Sequence, residues 1–152
     1  MKTRKHKTNI SSRAGFTLLE ILIAISIVVI LGGIVSLQLI DMPQKSRRDA
    51  AVIQLGTFKT AIQIYIADNG FPPSQRQGLE ALVSKPATPP IPLNYRPNGY
   101  LDSKEVPKDP WGGDYVYLSP GSGGELFEII CYGSDGDEGG EGYAADLSTL
   151  TP

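Results

Sequence analysis

The sequence predicts an α+β fold in which one long N-terminal helix packs on a small antiparallel β-sheet. An apolar run over residues 16–40 leads into a segment whose apolar residues recur at helical spacing. The rest of the chain holds most of the 17 glycines and 12 prolines and only short runs of β-forming residues. A chain of 152 residues is long enough for one modest hydrophobic core.

The apolar run predicts a membrane-spanning helix. Glu20 is its only charged residue, and a helix over residues 21–40 would span about 30 Å, the thickness of a hydrocarbon core. Residues 1–15 carry five basic and no acidic side chains, which favours a cytoplasmic N-terminus. The small residues Ala14 and Gly15 precede the apolar run, so a cut after them would leave the anchor attached, unlike a secretory signal peptide.

Glu20 is the unusual residue of this segment. A carboxylate at membrane depth costs about 2–4 kcal/mol. One interpretation is that Glu20 lies near the interface and reaches the headgroups. The other is that a cut after Gly15 frees the amine of Phe16, which would neutralise Glu20 in the same chain or in a neighbour. An anchor that neutralises its charge on a neighbour is expected to polymerise.

The helix is predicted to continue beyond the membrane, over residues 16–68 in all. Apolar residues at spacings of four and three indicate one buried face, and Asp68, Asn69 and Gly70 followed by two prolines indicate its end. Pro43 is a candidate kink. The face consists of Ala51, Leu55, Phe58, Ile62 and Tyr65.

The C-terminal half predicts a short helix, a proline-rich loop and three short strands. The helix covers residues 77–83 and the loop residues 86–92. The strands are expected near Tyr100 and Leu101, at residues 115–118 and at residues 127–131. We expect Trp111 to be buried between sheet and helix, and Cys131, the single cysteine, to be a buried structural thiol.

The segment 131–152 is acidic and glycine-rich, and it has no Lys or Arg. It is either a solvated tail or a loop that wraps a cation. Calcium binds six to eight oxygens, and glycines let a chain turn its carbonyls inward. Spacing from Asp135 to Asp146 matches an EF-hand loop only in part, because Gly139 occupies a ligand position and no helical pattern flanks it. Both interpretations remain open on composition.

The sequence from Gly15 to Glu20, GFTLLE, follows a basic leader and resembles the class III signal of type IV pilins and pseudopilins. The resemblance implies that a prepilin peptidase cuts between Gly15 and Phe16 and that Phe16 becomes N-methylated. It also implies that Glu20 guides each subunit into a growing filament.

Four further motifs extend the resemblance to the major pseudopilins of type II secretion systems, the core protein G family. They are QGLEAL at 77–82, DPWG at 109–112, SPG at 119–121 and GGEG at 139–142. The implied protein is a type IV pilin-like structural subunit of a periplasmic pseudopilus, which polymerises to drive export of folded proteins across the outer membrane. Residues 1–15 would be the cleaved leader, residues 16–40 the membrane and filament-core helix, and residues 41–152 the periplasmic domain, with the anchor in the bacterial inner membrane.

The same resemblance implies calcium as cofactor, bound by the side chains of Asp135 and Asp146 and the backbone carbonyl of Tyr132. Many relatives have a further aspartate where this chain has Ala145. The implied partners are copies of the chain itself, the prepilin peptidase, minor pseudopilins and the inner-membrane assembly platform. Nucleic acid is not expected, because removal of the leader leaves 9 basic against 16 acidic side chains.

A type IV pilin and an enzyme are two alternatives to this interpretation. A type IV pilin for adhesion, motility or DNA uptake usually closes its C-terminal loop with two cysteines, and this chain has one. Relatives often carry a proline where this chain has Leu37, so the geometry of membrane exit is expected to differ. An enzyme is not expected, because the only histidine, His6, lies in the leader and no mature Ser or Cys has a histidine partner.

Overall fold

The computed structural model describes the backbone of residues 15–151 and the side chains of residues 15–31 and 43–151. The predicted long helix and small antiparallel sheet are confirmed. In chain order the elements are helix α1 (Leu18–Asn69), a 3₁₀ helix (Leu79–Leu82) and strands β1 (Val116–Leu118), β2 (Glu128–Cys131) and β3 (Leu147–Ser148). The predicted leader up to Ala14 and the side chain of Leu37 lie outside the described residues.

The chain divides into two compact units, with the boundary between Ile40 and Asp41. In the first unit, the large apolar side chains of α1 from Leu18 to Leu31 are all between 48% and 81% exposed. A helix that is apolar on every side is typical of an element surrounded by lipid or by other helices. This stretch is shorter than a membrane span, because the predicted segment continues into residues whose side chains are not described.

By length and composition, Pro43–Asn69 is the one segment among the described residues that is apolar enough to cross a membrane. We assign it to the core of the second unit instead. Leu55, Phe58 and Ile62 on one face are at most 1% exposed, whereas Arg47 and Lys59 on other faces are exposed. This one-sided burial is that of a helix packed on a globular domain, and it confirms the predicted buried face.

The sheet covers that face of α1. Its order is β1-β2-β3, both pairs are antiparallel, and Val116 pairs with Ile130 while Cys131 pairs with Leu147. Side chains from all three strands or their immediate ends join the helix residues in a single core, to which the 3₁₀ helix adds Leu79 and Leu82.

Four details differ from the sequence-based predictions. The strand predicted at Tyr100 and Leu101 is absent from the described chain; the Tyr100 N–H instead donates to the carbonyl of Leu82 at 2.7 Å. The third strand is β3, only two residues long, inside the acidic segment. The short helix is 3₁₀ rather than α. Trp111 is half-buried rather than buried, since its indole N–H lies at the surface of the core and donates to Gln44 Oε1 at 3.0 Å.

Candidate functional site

The start of α1 is fixed by a side-chain cap. Thr17 Oγ1 accepts the backbone N–H of Glu20 at 3.2 Å, and the Thr17 carbonyl accepts that of Ile21 at 3.2 Å. Thr followed three residues later by Glu is the spacing of a capping box, so this cap could have been predicted from the sequence. A carboxylate in the first turn also interacts favourably with the helix dipole. The cap therefore fixes Glu20 in the first turn, four residues after Phe16.

Glu20 is surrounded by exposed apolar side chains. Phe16 is 77% exposed, Leu18 81% and Leu19 66%, and Glu20 itself is exposed. Within the described residues Glu20 forms no ion pair. Its carboxylate is thus available to an amine, either its own N-terminus after a cut or that of another chain.

The acidic segment between β2 and β3 folds as a compact loop, which argues against a solvated tail. The Ser134 N–H donates to the carbonyl of Tyr143 at 3.0 Å. Gly133 and Gly140 have φ angles of +66° and +82° and lie so close to the Ala144 carbonyl that a Cβ at either would be 2.6 Å from its oxygen. Glycine is required at both positions because no other residue allows this approach.

The predicted metal ligands lie in this loop. Tyr132 is half-buried directly after β2, and Asp135 is exposed, with Oδ1 accepting the Asp137 N–H at 3.3 Å. Asp146 is half-buried, and its Oδ2 accepts the Gly139 N–H at 3.0 Å. Its Oδ1 is shielded from solvent and has no hydrogen-bond partner among the described residues.

A carboxylate oxygen that is shielded from solvent and has no partner raises the free energy of the folded state, unless a cation or a hydrogen-bond donor interacts with it. Within the described part of the chain, no three His, Cys, Asp or Glu side chains are grouped so as to hold a metal ion. A cation here would therefore need backbone carbonyls in addition to Asp146. A hard cation such as calcium accepts that mixture of oxygens, so the residues present fit it.

Two basic side chains of α1 bind the backbone of the C-terminal segment. Arg48 Nη1 donates to the carbonyls of Gly142 at 3.2 Å and Ala145 at 3.1 Å. Lys59 Nζ donates to the carbonyl of Thr149 at 2.8 Å. Neither role could be predicted from the sequence, because the partners are 90 or more residues apart and every residue type offers the same carbonyl acceptor.

The buried thiol was predicted correctly. Cys131 is 0% exposed, and its Sγ lies 3.6 Å from Asp109 Oδ2. Burial raises the pKa of Cys131 to about 11, so the thiol stays protonated. Asp109 Oδ1 accepts the N–H groups of Trp111 at 2.9 Å and Gly113 at 2.7 Å, which fixes the turn of the DPWG motif.

A buried carboxylate ties the sheet to the turn after β1. Glu128 is 5% exposed; one oxygen accepts the backbone N–H of Ser122 at 2.9 Å together with its hydroxyl, and the other accepts Ser148 Oγ at 2.7 Å. Burial acts to raise the pKa of Glu128, but these donors outweigh burial and hold the pKa below its usual value.

Comparisons with known proteins agree with these features. Residues 10–36 match the prokaryotic N-terminal methylation motif, which places the chain in the class of proteins that carry this motif at their N-terminus. Residues 38–150 match the type II secretion system (T2SS) protein G family, and the chain belongs to that family.

Individual relatives lead to the same family. The chain is 45% identical over 135 residues to the type II secretion system core protein G of Vibrio cholerae, covering 89% of this chain and 90% of the relative. It is 41% identical to that of Pseudomonas aeruginosa, covering 89% and 93%. A solved structure, the major pseudopilin from the type 2 secretion system of enterohaemorrhagic Escherichia coli, is similar with a TM-score of 0.59 and 38% identity, covering 69% of this chain and 87% of that one. The predicted resemblance is confirmed, and the type IV pilin alternative is less well supported.

Proposed function

We propose that this chain is a structural subunit of the pseudopilus of a type II secretion system, a filament that polymerises to drive the export of folded proteins across the outer membrane. The observation that carries the proposal is the match to core protein G relatives over 89% of the chain. The exposed apolar helix from Leu18 to Leu31 supports it, because such a surface needs either lipid or neighbouring helices around it.

The N-terminus would be processed and then used in assembly. A prepilin peptidase cuts between Gly15 and Phe16 and the new amine of Phe16 is methylated. Thr17 then starts α1 one residue later, so Glu20 presents its carboxylate in the first turn. A positive amine and a negative carboxylate, brought together from neighbouring subunits, cancel two charges that are costly in lipid or in an apolar filament core.

The chain would wait in the inner membrane as a single-pass protein, with residues from 41 onward in the periplasm. Copies of itself, minor pseudopilins and the inner-membrane assembly platform are the partners of a structural subunit of this family. The role requires no catalysis by this chain. Energy for assembly would come from another component, because the sequence has no P-loop motif.

Calcium would close the C-terminal loop. Asp146, Asp135 and the carbonyl of Tyr132 are the ligands we propose, and the shielded Oδ1 of Asp146 is the feature that supports a cation most directly. Calcium at millimolar levels outside the cytoplasm fills even weak sites. An ion that binds only the folded chain stabilises it by mass action.

The processing step is tested by mass spectrometry of the membrane fraction of the producing bacterium. We expect a mature chain that begins with methylated Phe16. A chain that retains residues 1–15 at steady state would refute the processing step.

The assembly role is tested by Glu20→Val, with Ser26→Val as the matched control. Both changes replace a polar group by an apolar one in the same helix, but the Ser26 hydroxyl only donates back to the Leu22 carbonyl at 2.8 Å. We expect both variants to insert in the membrane and only Glu20→Val to lose filaments and secretion. Normal filaments from Glu20→Val would contradict the charge-pairing argument.

The calcium site is tested by thermal unfolding of the full-length protein in detergent, with chelator or with calcium. A concentration of 100 times Kd would stabilise the fold by about 2.7 kcal/mol. Asp146→Asn should lose most of this gain, while Glu138→Gln, which removes an exposed charge from the same loop, should keep it. If the melting temperature of the parent protein is the same with chelator and with calcium, the proposed calcium site is excluded.

A further inference from the structure

The loop between β2 and β3 is held on helix α1 by one guanidinium group. Arg48 is half-buried and donates to two carbonyls of the loop, those of Gly142 and Ala145. One turn earlier, Gln44 accepts the indole N–H of Trp111 at 3.0 Å. Two polar side chains on one face of α1 therefore hold two separate loops of the domain.

Arg48 binds backbone oxygens and leaves the carboxylates of the loop free. Within the described residues the ion pairs are Arg96 with Asp68 and Lys108 with Asp114, and neither involves the loop. The loop itself supplies no cation, because residues 131–152 lack Lys and Arg. The arrangement thus orders the loop without consuming the side-chain oxygens that a metal ion would bind.

The position of Asp146 depends on the carbonyl that Arg48 holds. The Ala145 carbonyl belongs to the peptide group immediately before Asp146, so fixing its direction fixes the backbone from which the aspartate projects. Oδ2 of Asp146 accepts the Gly139 N–H, which fixes the other end of the side chain. Oδ1 is shielded from solvent and has no hydrogen-bond partner among the described residues. The Arg48 guanidinium and the loop backbone together fix the position at which Asp146 Oδ1 would meet a cation.

We propose that Arg48 is a positioning residue for the C-terminal cation loop, and that a divalent cation binds the loop tightly only when Arg48 holds the Gly142 and Ala145 carbonyls. This inference rests on the calcium part of the proposed function and does not depend on filament assembly. Arg48 lowers the conformational-entropy cost of cation binding, because a loop that is already ordered loses less conformational freedom when the ion binds.

Removal of Arg48 has two opposing effects on cation affinity. Losing a positive charge near the loop removes a Coulomb repulsion on the incoming cation, but that repulsion is screened by solvent because Arg48 is only half-buried. Losing the two hydrogen bonds frees the backbone on which Asp146 is mounted. We expect the second effect to dominate, because charge-assisted hydrogen bonds to carbonyls are directional and hold a specific geometry.

The neighbouring Arg47 separates these two effects. Arg47 is exposed and forms no described hydrogen bond or ion pair, so Arg47→Ala removes the same charge from the same turn without releasing the loop. Calcium is titrated into full-length parent protein, Arg48→Ala and Arg47→Ala in detergent by calorimetry. We expect Arg48→Ala to bind about tenfold more weakly, a change of about 1.4 kcal/mol, and Arg47→Ala to stay within about threefold of the parent. Arg48→Lys, which keeps the charge but replaces the planar guanidinium by a single donor nitrogen, should fall between them.

Hydrogen exchange without calcium gives the second measurement. The amides of Ser134 and Ala144, which are bonded inside the loop, should exchange faster in Arg48→Ala but not in Arg47→Ala. Amides of β2 should be unchanged in both variants, which distinguishes a positioning role from general destabilisation.

Three results would overturn the inference. Equal calcium affinities for Arg48→Ala and Arg47→Ala would refute the positioning role. Exchange that rises equally in the loop and in β2 would show that Arg48 only supports the fold. A parent protein that binds no calcium would refute both this inference and the proposed cation site, and would leave the pseudopilus function standing, since filament assembly is measured separately.

Discussion

Glu128→Gln should destabilise the folded protein at neutral pH and much less in acid. The carboxylate of Glu128 accepts the backbone N–H and the hydroxyl of Ser122 and the hydroxyl of Ser148. Glutamine keeps one acceptor oxygen, and its amide group can donate to Ser148, because a hydroxyl can also accept. The change therefore converts charge-assisted hydrogen bonds into neutral ones. The Ser148 hydroxyl, which already accepts the Leu150 N–H at 3.1 Å, loses Glu128 as the acceptor of its proton.

The magnitude follows from those contacts. A hydrogen bond to a charged group contributes about 1.5–3 kcal/mol and a neutral one about 1 kcal/mol, while removing a buried charge returns part of its desolvation cost. The net loss is therefore about 1–2 kcal/mol in the free energy of unfolding at pH 7. For a domain of this size that corresponds to a fall of about 4–8 °C in melting temperature.

The pH dependence follows from the lowered pKa of Glu128. The folded state binds the proton less tightly than the unfolded state, so the stabilisation is fully present above the usual pKa of 4.5 and is lost as the pH falls through the folded-state pKa. We expect the melting temperatures of the parent and Glu128→Gln to differ at pH 7 and to converge as the pH falls below the usual pKa of 4.5 and through the lower folded-state pKa. The assay is thermal unfolding by circular dichroism of the full-length protein in detergent.

Glu125→Gln is the matched control, because Glu125 is an exposed acid in the same turn without a described side-chain hydrogen bond. It should leave the melting temperature unchanged at pH 7. A gap between the parent and Glu128→Gln that stays constant from pH 7 to pH 3 would refute the argument. So would a Glu128→Gln protein as stable as the parent at pH 7.

Three further outcomes test the core, the loop and the thiol. In denaturant titrations, Ile62→Ala at a fully buried site should cost about 2–5 kcal/mol, and Ile53→Ala, at a side chain 71% exposed, less than about 0.5 kcal/mol. Gly133→Ala would place a Cβ 2.6 Å from a backbone oxygen and should lower the melting temperature well beyond Gly136→Ala, which shares a positive φ but has nothing within 4 Å; equal losses would contradict the close approach. Cys131 should resist alkylation at pH 8 in the folded protein and react fully once denatured, because its thiol is buried with a pKa of about 11; rapid labelling of the folded chain would contradict that burial.

The helix and two of the strands could be predicted because their signals are local. Apolar residues at spacings of four and three mark the buried face of α1, and the run from Tyr115 to Leu118 is rich in β-forming residues. In both cases the residues that form the element also carry the pattern. The strand expected at Tyr100 failed because an aromatic residue beside a glycine suits several conformations, and its backbone here bonds to the end of the 3₁₀ helix.

The acidic segment shows what a sequence cannot convey. Its carboxylates and glycines indicate a loop able to wrap a cation, and its composition is equally that of a solvated tail. The distinction depends on contacts with residues some 90 positions away, at Arg48 and Lys59, and on β3, which is two residues long. Backbone carbonyls are the acceptors in the contacts of Arg48 and Lys59. Every residue offers the same carbonyl whatever its side chain, so no pattern of residue types could have predicted these contacts.

These contacts give the second half of α1 two functions in the domain. One face supplies the apolar core through Phe58 and Ile62, and the edge of that face supplies donors for loops that have too little regular structure to satisfy their own carbonyls. A domain built this way depends on a single helix for both packing and loop order. A change that unwinds α1 near Arg48 should therefore release the acidic loop before it opens the sheet, because the sheet packs on residues from Ala51 onward. The cation site would then be the first part of the domain to lose its geometry, which is why its affinity is the most sensitive measure of whether this part of the helix is formed.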